Sequence, residues 1–339
     1  MVEDQEIAVD YDFSVVITTR NRPALFKRAL ASVLDQKNVT FQVVVINDGS
    51  LEEHRAAYKA IIEEAPTSVS FITLDHSLQG HGAYHALNQG ILAAQAEYLA
   101  FLDDDDHWTD PDYLSTSLAA LTEEVKQTQQ QPDMLCALQV AVDHQGEETA
   151  ELLWHGLNRD RFIKNPAQHS GFYYGRPEEC VDKGIFCHAN TLILRRQFIL
   201  DIGAFDEDLR YEGDREIYLR AIDQGARVLI NDRIVSKHYI PDPGKAETVT
   251  TQQSKLIKLQ YQFRLYTNLH MNARTPLIRE LARIGQGDVA RHLSLFLKEQ
   301  GKMKVAAHYA RIALMVRFSL KWMIYTVYMT GVGLFASNK

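Results

Sequence analysis

The 339-residue chain lacks the residue patterns that mark several protein classes. Its three cysteines, Cys136, Cys180 and Cys187, are an odd number with no zinc-ligand spacing. This argues against a disulfide framework or structural zinc site and for a reducing compartment. Glycine (18) and proline (9) together make up under a tenth of the chain, which excludes a low-complexity or disordered class. With 44 acids against 36 bases, a net −8, the molecule has no general attraction for nucleic acid. The first twelve residues, MVEDQEIAVDYD, hold five acids and no base. That is the reverse of a signal or transit peptide, so the expectation is a protein made and kept in the cytosol. The apolar run Trp322–Ala336 is 15 residues long, short of the roughly 20 that span a bilayer.

What is present is alternation. FSVVITT, FQVVVIND, SVSFITLD and EYLAFL read as short buried strands, rich in β-branched residues. Between them lie three amphipathic helices, the first opening at Pro23 and placing Leu25, Phe26, Ala29, Leu30, Val33 and Leu34 on one face. Such spacing implies βαβ units in a mostly parallel, Rossmann-like α/β sheet with helices on both faces. Ligands in such sheets bind beyond the carboxyl ends of the strands, where Thr18–Arg22, Asn47–Ser50 and Asp103–Asp106 fall. Further on come a helix fraying into glutamines after Pro111, a strand DMLCALQVAVD and a loop-rich stretch 143–187. The strand NTLILRR, the helix EGDREIYLRAIDQG ended at Gly225, and the strand ARVLIND complete the region. From about Gln252 only helical patterning remains. The expected organisation is an acidic segment 1–11, an α/β domain 12–250 and a helical region 251–339, with the boundary near 245–255.

The chemistry concentrates in FLDDDDHW, residues 101–108. Two unit charges 4 Å apart repel by about 4 kcal/mol at an effective dielectric of 20, and a loop leaving a buried strand has little freedom to spread them. A divalent cation removes that repulsion, and hard oxygen donors select Mg²⁺ or Mn²⁺. The plain alternative is a charged turn with a helix cap at Asp110.

Four stretches in order, FSVVITTRNRP, VVVINDGS, HGAYHALNQGILAAQAEYLAFLDDDDHW and GAFDEDLRYEGDREIYLRA, resemble the inverting family 2 glycosyltransferases with the GT-A fold, over residues 12–245. The resemblance implies transfer of a sugar from a nucleotide-diphosphate sugar, with UDP as nucleotide, to a glycan or lipid-linked hydroxyl in cell-surface polysaccharide or glycolipid synthesis. It implies Thr19, Arg20, Asp48, Asn88, Asp103 and Asp104 as donor-binding residues, with Thr19 and Arg20 flanking the base and ribose and Asp48 accepting from a uracil-like N3–H. Asp105 and His238 are implied as ligands of Mn²⁺ or Mg²⁺, and Asp106 as their support. Asp214 is implied as catalytic base, where Gly213-Asp214 stands for the usual Glu-Asp pair and Glu212 precedes it. His188 is read as lining the acceptor pocket, or as an ordinary buried histidine. His81 and Gly82 are read as offering backbone N–H groups to a diphosphate, or as a plain turn. A nucleotidyltransferase and a non-catalytic nucleotide-sugar-binding scaffold are the alternatives of other classes.

The end of the chain changes character. After Glu299 there is no acid, while Lys302, Lys304, Arg311, Arg317, Lys321 and Lys339 punctuate an apolar, aromatic text. This composition fits a helix lying in a membrane interface, or a terminal helix packed on its own domain. Peripheral contact with the cytoplasmic membrane face is the expectation, and self-association is left open.

Overall fold

The computed structural model describes residues 10–152, 163–182, 185–242 and 253–335. The acidic segment up to residue 9, the middle of the 143–187 loop and most of the boundary at 245–255 lie outside the described residues. Two compact units emerge, one of residues 1–207 with 225–240, the other of residues 208–224 with 241–339.

The first unit is a ten-stranded sheet. In chain order its elements are β1 (Phe13–Thr19), α1 (Pro23–Leu34), β2 (Phe41–Asn47), α2 (Arg55–Glu63), β3 (Val69–Thr73), α3 (Ala83–Ala93), β4 (Tyr98–Asp103), β5 (His107–Trp108), α4 (Tyr113–Thr128), β6 (Met134–Val142), β7 (Glu148–Leu152), β8 (Phe172–Gly175), α5 (Pro177–Cys180), β9 (Leu192–Arg195), α6 (Arg196–Asp201) and, after an excursion, β10 (Val228–Tyr239). The strand order is β3-β2-β1-β4-β9-β6-β10-β5, with β7 on β6 and β8 on β10. Strands β1 to β4 run parallel, as the alternation predicts. Strand β9 is antiparallel to both neighbours, β4 and β6. The order reverses at β1, so the crevice beyond β1 and β4 is the switch point where such sheets take ligands.

Period-two patterning builds the core on both faces. Phe13, Val15 and Ile17 of β1 pack with Phe26, Ala29, Leu30 and Val33 of α1. Val44 and Ile46, from the other face of β2, meet Ala86 of α3. One reading of the sequence needs correction. The last strand does not stop after ARVLIND but continues through His238 and Tyr239. Register shifts between Ile230 and Ile234 and between Ile234 and Ser236 accompany the continuation past the polar residues Asn231–Arg233.

The second unit is helical: α7 (Gly213–Asp223), α8 (Lys255–Asn272), α9 (Pro276–Glu299), α10 (Met303–Val316) and α11 (Leu320–Phe335). Thr275 caps α9, its hydroxyl accepting from Ile278 N at 3.3 Å, just before Pro276 at the first helical position. Asp223 pins that turn, accepting from Arg274 N, Thr275 N and Thr275 Oγ1 at 2.7–2.8 Å.

Candidate active site

The parallel strands deliver their last residues to one edge, and the polar groups there fall into two neighbourhoods. At the end of β2, Asp48 accepts from His81 N (2.8 Å) and Gly82 N (3.0 Å) and meets His81 Nδ1 at 2.9 Å. Gly49 turns the chain with φ +64°, and a Cβ there would lie 2.6 Å from Asp75 O, so the Asp-Gly pair is a steric requirement. Arg20, from the end of β1, donates through Nη2 to Ser77 O (2.9 Å) and Leu78 O (3.2 Å). Its buried Nε has no hydrogen-bond partner among the described residues. Between Arg20 and Asp48 lies Gly80, φ +68°, where a Cβ would fall 2.5 Å from Asp48 Oδ2 and 3.0 Å from Arg20 Nε. A donor group and a carboxylate thus flank a spot only glycine fits.

The second neighbourhood is the aspartate run. Asp104 and Asp106 are wholly buried, whereas Asp103 and Asp105 keep 38% and 23% of their side chains exposed. Asp104 turns toward β1 and α1. It accepts from Thr19 Oγ1 at 2.6 Å, and Thr19 Oγ1 is also 2.7 Å from Tyr58 OH. Arg22 donates to Asp104 and, through Nη1, to Asp105 Oδ2 at 2.7 Å. Burial pushes the Asp104 carboxyl up to about 7 against the pull of Arg22. Asp106 turns the other way. It accepts from Tyr239 N at 2.7 Å and from Asn190 Nδ2, and its Oδ2 lies 2.9 Å from His238 Nδ1. Burial acts to raise its pKa too, but His238 outweighs it, helped by His188 and the Tyr239 N–H, and the carboxyl ends below its ordinary value. Conversely, burial opposes the charge on His238 but Asp106 overcomes it, with Asp103 and Asp105 adding, and its pKa rises to about 9.

Asn190 is the hinge of this arrangement. Its Oδ1 accepts from Asp103 N at 2.9 Å and its backbone carbonyl accepts from Trp108 Nε1 at 2.8 Å. His188 stands beside it, Nε2 3.9 Å from Asp103 Oδ2 and its ring 4.9 Å from that of His238. Arg28 donates to the Asp105 carbonyl and lies 4.2 Å over the Tyr239 ring.

Among the described residues, two donor sets have atoms within 4.8 Å of one another: Asp103, Asp105 and Asp106, and Asp106, His188 and His238. The carboxylate set offers hard oxygens of the kind that suit Mg²⁺ or Mn²⁺, and two imidazoles adjoin it. Arg22 and a protonated His238 neutralise part of the run already. His238 must give up that proton before it can ligate. The residues present therefore fit a divalent cation, with Asp103 and Asp105 the more open members.

The family model described as glycosyl transferase family 2 matches residues 14–196, more than half of the chain. The chain belongs to glycosyl transferase family 2. It is 36% identical over 107 residues to the putative colanic acid biosynthesis glycosyl transferase WcaA of Escherichia coli, covering 31% of this chain and 36% of that one. With two other glycosyltransferases the aligned stretches cover 28% and 30% of the relative, so the match spans about a third of these proteins' length. Among solved structures, S. aureus TarS 1-349 in complex with UDP-GlcNAc superposes with a TM-score of 0.63 at 16% identity, covering 95% of this chain and 88% of that one. The mannosyltransferase PcManGT of Pyrobaculum calidifontis, in complex with GDP-Man and Mn²⁺, gives 0.56 at 14%, covering 97% and 82%. At these identities the likeness establishes the shared GT-A fold.

Within this family 2 chain, the residues singled out in the sequence distribute unevenly. Thr19, Arg20, Asp48, Asp103 and Asp105 gather at the carboxyl edge of the sheet. Asn88 lies in α3, its amide committed to structure: Nδ2 donates to Phe205 O (3.0 Å) and Glu207 Oε1 (2.8 Å), and Oδ1 accepts from Phe205 N (3.0 Å). Asp214, in the helical unit, sits in the first turn of α7 with Oδ1 2.9 Å from Arg215 N. Glu212 is tied to Arg215 Nε and Gln262 Nε2, both at 2.5 Å, and holds α7 to α8. The sequence places Arg22 in the strand-end cluster Thr18–Arg22 without giving it a role, and does not point to Asn190. Arg22 carried a signal, a base beside Pro23 one strand from four acids. Asn190 carried none, because its role depends on β9 lying next to β4.

Proposed function

We propose that this protein is a metal-dependent inverting glycosyltransferase that moves a sugar from a UDP-sugar to a hydroxyl of a glycan or lipid-linked acceptor in surface polysaccharide or glycolipid synthesis. The observation carrying the reading is the carboxylate set Asp103, Asp105 and Asp106 at the end of β4, beside a neighbouring strand end where Arg20 and Asp48 flank Gly80. The second group suits a nucleoside: Asp48 has acceptor capacity for a base N–H, and Arg20 has a planar guanidinium for stacking. Thr19 and Asp104 brace the floor beneath it. Asp105 with His238 would hold Mn²⁺ or Mg²⁺, with Asp103 and Asp106 adjoining. When bound, such a cation neutralises charge on the departing nucleoside diphosphate.

The base is assigned to Asp214, with Glu212 occupied by Arg215 and Gln262. A carboxylate there takes the acceptor's proton as the hydroxyl oxygen bonds to the anomeric carbon. The bond from that carbon to the diphosphate breaks on the opposite side, so a single displacement inverts the centre. The WcaA relative is named for colanic acid biosynthesis and the TarS and PcManGT neighbours for nucleotide-sugar complexes, which supports the substrate class. A cytosolic donor and a surface-polymer acceptor meet at the cytoplasmic membrane face, where we place the reaction.

The test is a thermal-shift series with UDP, GDP, dTDP and CMP, each with and without Mn²⁺, on wild type, Asp105→Ala and Asp214→Asn. A ligand at 100 times its Kd raises stability by about 2.7 kcal/mol. The expected result is a Mn²⁺-dependent shift with UDP, lost in Asp105→Ala and kept in Asp214→Asn, whose turnover falls at least about a hundredfold. No shift with any nucleotide would overturn the reading.

A further inference from the structure

Helix α11 presents an apolar surface outward. Its inner side is satisfied: Met329 is fully buried with Leu297, Ala306 and Ala307, and Trp322 Nε1 and Thr326 Oγ1 donate to Ala310 O at 3.0 and 3.3 Å. On the opposite side Leu320, Ile324, Val327, Tyr328 and Leu334 are 55–78% exposed, and at about 100° per residue all five fall on one stripe. Phe318, in the turn before the helix, is 70% exposed. The backbone just before it is clamped, Arg283 donating to Val316 O and Arg291 Nη2 to Arg317 O at 3.2 Å. A contiguous stripe of this kind marks an interaction site in a folded protein.

Charge says what covers it. All 44 acids precede residue 300, together with 30 of the 36 bases, leaving −14 on the first 299 residues and +6 on the last 40. Lys321 borders the apolar stripe, and Lys302, Lys304, Arg311 and Arg317 belong to the preceding helix and its flanks. An anionic lipid surface attracts this end of the chain and repels the remainder, so charge and apolar area select the same end of the molecule's chain. The 16 residues of α11 extend about 24 Å, less than the roughly 30 Å hydrocarbon core. Among the described residues no helix is long and apolar enough to cross a membrane. We propose that the exposed stripe of α11, with Phe318, lies flat in the interface of an anionic bilayer and docks the protein there.

The docking does not require sugar transfer, so its test uses no activity. Full-length protein is sedimented with phosphatidylcholine vesicles, with and without 30% phosphatidylglycerol, and its oligomeric state is measured by light scattering. Wild type should sediment with the anionic vesicles and detach in high salt. Ile324→Glu/Val327→Glu should cut partitioning at least tenfold, and Arg311→Gln/Lys321→Gln about tenfold. These positions are exposed, so the thermal midpoint should stay unchanged. No preference for anionic vesicles, or equal binding by the Glu variant, would overturn the proposal. A dimer abolished by the Glu variant, without vesicle binding, would assign the stripe to a second copy and overturn it too.

Discussion

The two sides of the aspartate run solve the same problem differently. Asp104 and Asp106 are two residues apart and both fully buried. On the β1–α1 side, Asp104 meets a hydroxyl and one arginine shared with Asp105, and burial wins: its pKa rises to about 7. On the β9–β10 side, Asp106 meets an imidazole, an amide and a backbone N–H, and burial loses. Burial alone therefore does not predict the charge of a carboxylate; the charges beside it and the donors aimed at it do. One side keeps an acid whose proton is loosely held near neutrality, the other a fixed anion that orients a histidine.

The strongest break of this contrast is Asp106→Ala. It strands His238 and the Asn190 amide together, and stability measured by urea unfolding should fall by about 3–5 kcal/mol. Arg22→Ala comes next, at about 2–3 kcal/mol, because it leaves Asp104 buried without its cation. Adding Asp104→Asn should recover most of that loss but recover nothing in the Asp106 variant, a coupling that a double-mutant cycle reads directly.

The pH dependence of the metal-free protein sharpens the contrast further. Asp104 binds its proton more tightly folded than unfolded, so stability should decline as pH rises from about 4 through about 7. His238, also raised on folding, contributes stability that is complete below about 6.5 and lost as pH rises through about 9. Asp106 acts in the reverse sense, contributing above about 4 and failing below it. Unfolding at pH 5, 7 and 9.5 should show Asp104→Asn flattening the first interval and His238→Gln the second. The same slopes in both variants would mean the two acids are not distinct.

These outcomes track what was legible in the sequence. The parallel half, β1 to β4, was readable because each strand and helix declares itself by its own period, and the strand ends then locate Thr19, Arg20, Asp48 and the aspartates. The second half was not. His238 read as following a strand when it lies within one, because the register shifts near Ile234 disguise the pattern. For Asn88 a motif gives its position but not its partners, Phe205 and Glu207, more than a hundred residues away.

The sequence by itself determined the alternating sheet, the concentration of acid at one strand end and the charge reversal after Glu299, since local periodicity and composition suffice for each. Only the tertiary structure decided which aspartates are buried and which open, that Arg22 and Asn190 hold them, that Glu212 is tied to Arg215 and Gln262, and that α11 faces outward with its apolar side. Each depends on which element lies beside which, and burial, charge and hydrogen bonding across such pairings are set by neighbours distant in the chain.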